Sequence, residues 1–297
     1  FSIDCFNQPS ISLSLIHLNP NLNHNPNQLI IYHNDINNPR TSFSRAANNQ
    51  ALLARAIALP AHPLAPRRTQ PPLRTKDLQT RPSNTLRAAG AQRNPPLGKS
   101  PVISITPPNS PPVVVAESAL IIEYLLDHYA AGSKSTLLPK RYEEGKEGQV
   151  GGETQEWLRF RYFMHYAEGS LMIIMMLYLV ATNIKNSPVP FFIKPITTRV
   201  GDKILTSFVE PNCVTHFSFL ESQLQTSGGQ YLCGKHLTGA DILISFPLIA
   251  GKGSAYTKEK YPLVWAYTER LEKEKGYVKA VEKIVELEGE FSASLPR

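Results

Sequence analysis

Two dipeptides in this sequence could do chemistry together with the backbone around them. The first is Glu117-Ser118, which follows the β-branched run Val113 to Val115 and precedes Ala119, Ile122, Leu125, Leu126 and Tyr129, residues that share one face of a helix. It therefore sits at a strand-to-helix junction, with Ser118 as the expected N-cap. The first N–H groups of a helix have no intrahelical acceptor and carry the positive end of its dipole, so a ligand carboxylate binds there. Ser118 adds a hydroxyl donor and Glu117 can hold an ammonium, which makes an α-amino-acid group the natural guest. The second dipeptide, Ser100-Pro101, is read at the other end of the hairpin, opening the strand Val102 to Ile105. Proline is tolerated at a strand start because no ladder N–H is required there. A cis bond at this point would turn the peptide groups of Ser100 outward, to pair with an extended peptide as a sheet edge does.

The elements that must position these groups are two short strands joined by the proline-rich turn Pro107 to Pro112, expected to pair antiparallel, followed by a helix. Almost everything after that stretch has helical periodicity. Thr154 or Glu153 opens a helix through Trp157, Phe160, Arg161 and Met164 toward Met176, and Asn186 to Pro195 breaks it with three prolines. Val200 to Leu224 resumes the helix, with Ile204, Phe208, Phe217, Leu220 and Leu224 on its buried side. Glu269 to Glu290 reads as one amphipathic helix with Val278, Val281, Ile284 and Leu287 inward. Thr238 and Asp241, three apart at the start of Gly239 to Ala250, have the spacing of a capping box, a structural cap and not a catalytic carboxylate.

Composition divides the chain. Residues 1–112 hold 11 Lys and Arg against 3 Asp and Glu, net +8, and 17 of the 25 prolines; residues 113–297 hold 20 against 21, net −1. Residues 1–50 are rich in Asn without sustained periodicity, and in 51–96 only Ala51 to Leu59 could form a helix. Little there can build a core. Residues 1–94 are accordingly read as disordered, or as translated from an intron or a shifted frame, since the chain begins at Phe1 and its first Met is Met164. The alternative, a basic arm for nucleic acid or an acidic membrane, lacks aromatic interleaving or any nucleic-acid motif, and no nucleic acid is expected. Cys5, Cys213 and Cys233 are too scattered for a disulfide framework or a metal site, so a reducing compartment and no metal are expected. The longest apolar run, Leu171 to Ala181, is shorter than the roughly 20 residues that span a bilayer, which leaves peripheral membrane association open.

The segments G-K-S-P-V-I and A-E-S-A-L-I-I-E-Y-L resemble the second half of the thioredoxin-like domain of glutathione transferases. Arg161 to Leu171 and Tyr231 to Leu248 resemble the helical domain of the fungal members. The resemblance runs from about residue 95 to the C-terminus. It implies an α/β plus all-α chain: residues 95–131 as the second half of a thioredoxin-like domain, incomplete or aberrant here, 132–152 as a linker and 153–297 as an all-helical domain. It further implies a cytoplasmic, dimeric detoxification enzyme whose glutathione thiolate attacks hydrophobic electrophiles. Lys99 would reach the glycyl carboxylate, Ser100 and Pro101 the cysteinyl unit, and Glu117 with Ser118 the γ-glutamyl end. Tyr162, His165 and Tyr166 would lie nearest the groove for the hydrophobic substrate. The family's thiol activator is a Tyr, Ser or Cys near the N-terminus; Ser44, in S-F-S-R-A, is the nearest echo of it. A non-catalytic binding or assembly module and a glutathione-dependent peroxidase are the alternatives.

Overall fold

The computed structural model describes residues 29–31, 101–105, 110–130 and 135–295. These fall into two compact units divided between Ile121 and Ile122.

In the first unit, β2 (Val102–Ile105) is buried along its whole length, as expected of an apolar strand with neighbours on both sides. On one side it pairs antiparallel with β3 (Val113–Ala116), from Val102 opposite Ala116 to Ile105 opposite Val113. On the other it pairs antiparallel with β1 (Leu29–Ile31), Leu29 lying opposite Ile105. The expected two-stranded hairpin is therefore the edge of a three-stranded sheet. A three-residue strand, Leu-Ile-Ile between Gln28 and Tyr32, is too short to show a period of two, so β1 leaves no signal in the sequence. The expectations for the rest of residues 1–94, including the Ala51 to Leu59 helix and Ser44, lie outside the described residues.

The register also corrects the placement of the two dipeptides. The β2–β3 ladder ends at Val102 and Ala116, so the next positions, Pro101 and Glu117, fall side by side at the open end of the hairpin, not at opposite ends. Helix α1 (Ser118–Leu125) starts immediately and continues as a wider π-helical turn, Leu126–Ala130.

The second unit is helical. α2 (Gln155–Tyr166), a π-helical turn (Ala167–Leu171) and α3 (Met172–Lys185) form one uninterrupted 31-residue helix. Thr154 caps it, its Oγ1 accepting from Trp157 N–H at 3.2 Å. Although long and apolar enough to cross a bilayer, this helix carries Arg159 and Arg161 and buries Phe160, Phe163, Met164, Leu171 and Met175 against its neighbours, as a core helix does. α4 (Lys194–Ile204), a π-helical turn (Leu205–Val209) and α5 (Glu210–Thr226) follow. α3 and α4 approach so closely at Gly201 that a Cβ there would lie 2.8 Å from the Ala181 carbonyl oxygen. Phe208, expected inward, is exposed, because the π turn rotates it off the buried stripe.

α6 (Gly239–Gly251) is buried at all thirteen positions and is the centre of this unit. The expected single helix from Glu269 is two, α7 (Pro262–Glu272) and α8 (Lys275–Glu288). Glu274 breaks them with an extended ψ of 133°, and its carboxylate accepts from the Tyr231 hydroxyl. Re-aimed, α8 buries Ala280 and Ile284 while Val278 faces solvent.

Candidate functional site

The junction between β3 and α1 is made by one strained residue. Glu117 has φ of +74°, the only positive φ among the described non-glycine residues, and its carbonyl accepts the first helical bond from Ile121 N–H at 2.9 Å. Glu117 thus occupies the cap position expected of Ser118, and Ser118 is the first residue of the helix. A left-handed L-residue costs about 1–2 kcal/mol, and such outliers gather where a ligand is bound. The geometry has a chemical result. It ends β3 and starts α1 within one residue, so the exposed Glu117 carboxylate, the half-buried Ser118 and the first-turn N–H groups of α1 cluster next to buried Pro101. A carboxylate acceptor beside a helix N-terminus suits a zwitterionic α-amino-acid group. Lys99, Ser100 and Ser44 lie outside the described residues.

The second unit separates the three groove residues expected on its first helix. Tyr162 is 52% exposed and His165 is exposed, whereas Tyr166 is buried and its hydroxyl lies 2.8 Å from His216 Nδ1. Tyr162 stacks on Tyr166 with centroids 5.8 Å apart, and Phe219 completes the aromatic cluster. Burial raises the Tyr166 hydroxyl well above its usual range and lowers the His216 imidazole, so the pair is held as neutral phenol and neutral ring. His216 and Phe219 went unread in the sequence because they meet Tyr166 only across the α2–α5 contact. The ion pair of Arg161 with Glu123 was hidden for the same reason.

Asp241 is 0% exposed. Its carboxylate accepts from Thr238 N–H at 2.8 Å, Thr238 Oγ1–H at 2.7 Å, Leu232 N–H at 3.1 Å and the Tyr267 hydroxyl, closing a capping box on α6. With every lone pair directed at the protein's own donors, this carboxylate faces no substrate.

Cys213 and Cys233 are free and buried. Burial, with Glu210 nearby, pushes the Cys213 thiol up to about 12, and burial beside Asp241 pushes Cys233 higher still. Nucleophilic sulfur is thiolate, so neither should react in the folded protein. Iodoacetamide at pH 8 is expected to leave the peptides containing Cys213 and Cys233 unmodified in native protein and to alkylate both in denaturant, read by mass spectrometry. Native labelling of either would show a reactive thiol in the helical unit. Among the described residues no three His, Cys, Asp or Glu side chains converge as a metal site.

Comparison with known proteins gives this geometry a context. The family model for the glutathione S-transferase C-terminal domain matches residues 192–283. Glutathione S-transferase 1 of Saccharomyces cerevisiae is 28% identical over 198 residues, covering 66% of this chain and 78% of the yeast protein. Among solved structures, glutathione transferase URE2P8 from Phanerochaete chrysosporium, determined with oxidised glutathione, superposes with a TM-score of 0.53 at 14% identity, over 91% of this chain and 99% of that one. FzlA from C. crescentus gives 0.50 at 15% identity, over 80% and 88%. The two structures share the architecture, a thioredoxin-like domain followed by an all-helical one, as expected from the sequence. The family-model match falls within the helical unit, and over that stretch the chain is similar to the glutathione S-transferase C-terminal domain.

Proposed function

We propose that this protein is a cytoplasmic glutathione transferase, joining the glutathione thiolate to the electrophilic carbon of an apolar substrate. The observation that carries the reading is the placement of Pro101 beside Glu117, with Glu117 held left-handed at the start of α1. Glu117 takes the γ-glutamyl ammonium, while Ser118 and the first-turn N–H groups take the γ-glutamyl carboxylate. Pro101 fixes the backbone of Ser100, which pairs with the cysteinyl unit as a sheet edge pairs with an added strand, and Lys99 meets the glycyl carboxylate. The thiol titrates near 8.5 in free solution and needs a hydroxyl donor to be a thiolate at neutral pH; Ser44 is the candidate donor. On the helical unit, exposed Tyr162 and His165 contact the apolar substrate, and Tyr166 supports Tyr162 from beneath. A second copy of the chain covers the exposed stripe Ile173, Met176 and Val180 on α3, giving a homodimer. The buried thiols of Cys213 and Cys233, held protonated by that burial, give a cysteine peroxidase no support.

Ser118→Ala tests the site. A hydrogen bond to a charged group contributes about 1.5–3 kcal/mol, so the glutathione dissociation constant measured by calorimetry should rise roughly tenfold or more with little change in thermal stability. Full affinity in this variant would overturn the assignment. Activity toward a chlorinated aromatic acceptor supports the transferase. Turnover of hydroperoxide alone would establish the peroxidase alternative, and glutathione binding without either turnover the assembly module.

A further inference from the structure

Four exposed apolar side chains of the helical unit gather at one place that the proposed chemistry does not use. Phe191 is 87% and Phe192 65% exposed, their rings perpendicular at 5.6 Å, in the turn before α4. Ile196 and Val200 on α4 are also exposed and stand at i and i+4 on one helix face, in the first turns after Phe192. The turn that presents them is well braced. Pro188, Pro190 and Pro195 restrict its backbone, Ile193 N–H donates to the Pro190 carbonyl at 2.9 Å, Ser187 Oγ donates to the Ile184 carbonyl at 2.8 Å, and Lys194 Nζ donates to the Ser187 carbonyl at 3.2 Å.

The charge beside this stripe is one-sided. Residues 185–204 contain Lys185, Lys194, Arg199 and Lys203 against one carboxylate, Asp202, net +3, and Asp202 is taken by Lys185 at 2.7 Å. Arg199 and Lys203 are exposed along the flank of the stripe. Phe191, Lys194, Pro195, Thr198 and Arg199 line a shallow, open depression, apolar on its floor and cationic at its rim. We propose that this face docks on the headgroup boundary of an anionic lipid bilayer, with α4 lying in the plane of the interface. Phe191 and Phe192 insert among the acyl chains, Ile196 and Val200 rest on them, and Lys194, Arg199 and Lys203 meet lipid phosphates and carboxylates. Two exposed aromatic rings beside exposed cations match that chemistry; a protein partner would need pockets for both rings and acidic residues for the cations.

The test is flotation of the full chain with phosphatidylcholine vesicles with and without phosphatidylserine. Wild type should float with the serine-containing vesicles, and less as salt rises. Phe191→Ser with Phe192→Ser should lose about tenfold in partitioning per ring. Lys194→Gln with Arg199→Gln should lose about fivefold per charge and flatten the salt dependence. Glutathione affinity should be unchanged in both variants, which shows that they fold. The emission of Phe192→Trp should shift to the blue on adding the anionic vesicles. The proposal is overturned if wild type does not float. It is overturned equally if the double serine variant floats as wild type does, which would assign lipid binding to the basic residues before Val113. A double serine variant that becomes monomeric while still floating would place a second copy on this face and overturn it as well.

Discussion

Asp241→Ala is expected to lower the stability of the protein by about 3–5 kcal/mol, as judged by chemical denaturation. The carboxylate is wholly buried and is the shared acceptor of two backbone N–H groups, of Thr238 and Leu232, and two hydroxyls, of Thr238 and Tyr267. Alanine leaves these donors in an apolar site that water does not reach, and each orphaned buried donor costs about 1–3 kcal/mol. The hydroxyls can rotate toward other acceptors and recover part of this, but the two N–H groups are fixed. The loss also removes the cap of α6, the helix around which the second unit packs. A pH signature accompanies it. Burial lifts the Asp241 carboxyl above the usual aspartate range, and its four donors offset only part of that lift. With the folded value above the unfolded one, the folded state holds its proton longer. This group's contribution is therefore fully present below the unfolded pKa and declines as pH rises through the folded pKa. Asp241→Asn should abolish that decline, so its stability relative to wild type should improve as pH rises above the aspartate range. Asp241→Ala with unchanged stability but lost transferase turnover would instead make Asp241 part of the chemistry.

What could be read from the sequence follows from how local each feature is. Thr238 and Asp241 are three residues apart and form the box through neighbouring backbone, so spacing alone reveals it. The prolines at 188 and 190 keep the long helix from resuming after Lys185 by removing donors, and Pro195 fits the first turn of α4, where no donor is needed, again local effects. Features set by partners distant in sequence were hidden. β1 exists through its ladder with β2, more than seventy residues on. Tyr166 is buried by α5, although its place beside Tyr162 and His165 suggested an open groove. The break between α7 and α8 at Glu274 depends on Tyr231, while the apolar period runs through it undisturbed. At the candidate site the strand-to-helix junction was legible, but its left-handed hinge was not. A sequence reader looks for glycine or asparagine at positive φ, and glutamate at that position argues for an ordinary backbone.

That mismatch makes Glu117 the most informative residue to change, because backbone and function should respond in opposite directions. Glycine adopts φ of +74° without steric cost, so Glu117→Gly should raise stability by about 1 kcal/mol, read as a higher melting temperature. The same change deletes the carboxylate proposed to hold the γ-glutamyl ammonium. A charge-assisted hydrogen bond of this kind contributes about 1.5–3 kcal/mol, and exposure places this one toward the lower end, so glutathione should bind about tenfold more weakly. Glu117→Gln separates the two effects: it keeps the strain and the side-chain volume, so the melting temperature should not move, while affinity should fall nearly as far as in the glycine variant. Increased salt should weaken wild-type binding and leave the glutamine variant almost unchanged, since only the former pairs opposite charges. A residue that served only to turn the chain from β3 into α1 would behave otherwise. In that case Glu117→Gly would be more stable and bind glutathione as wild type does, and the strained hinge would have to be explained by packing alone.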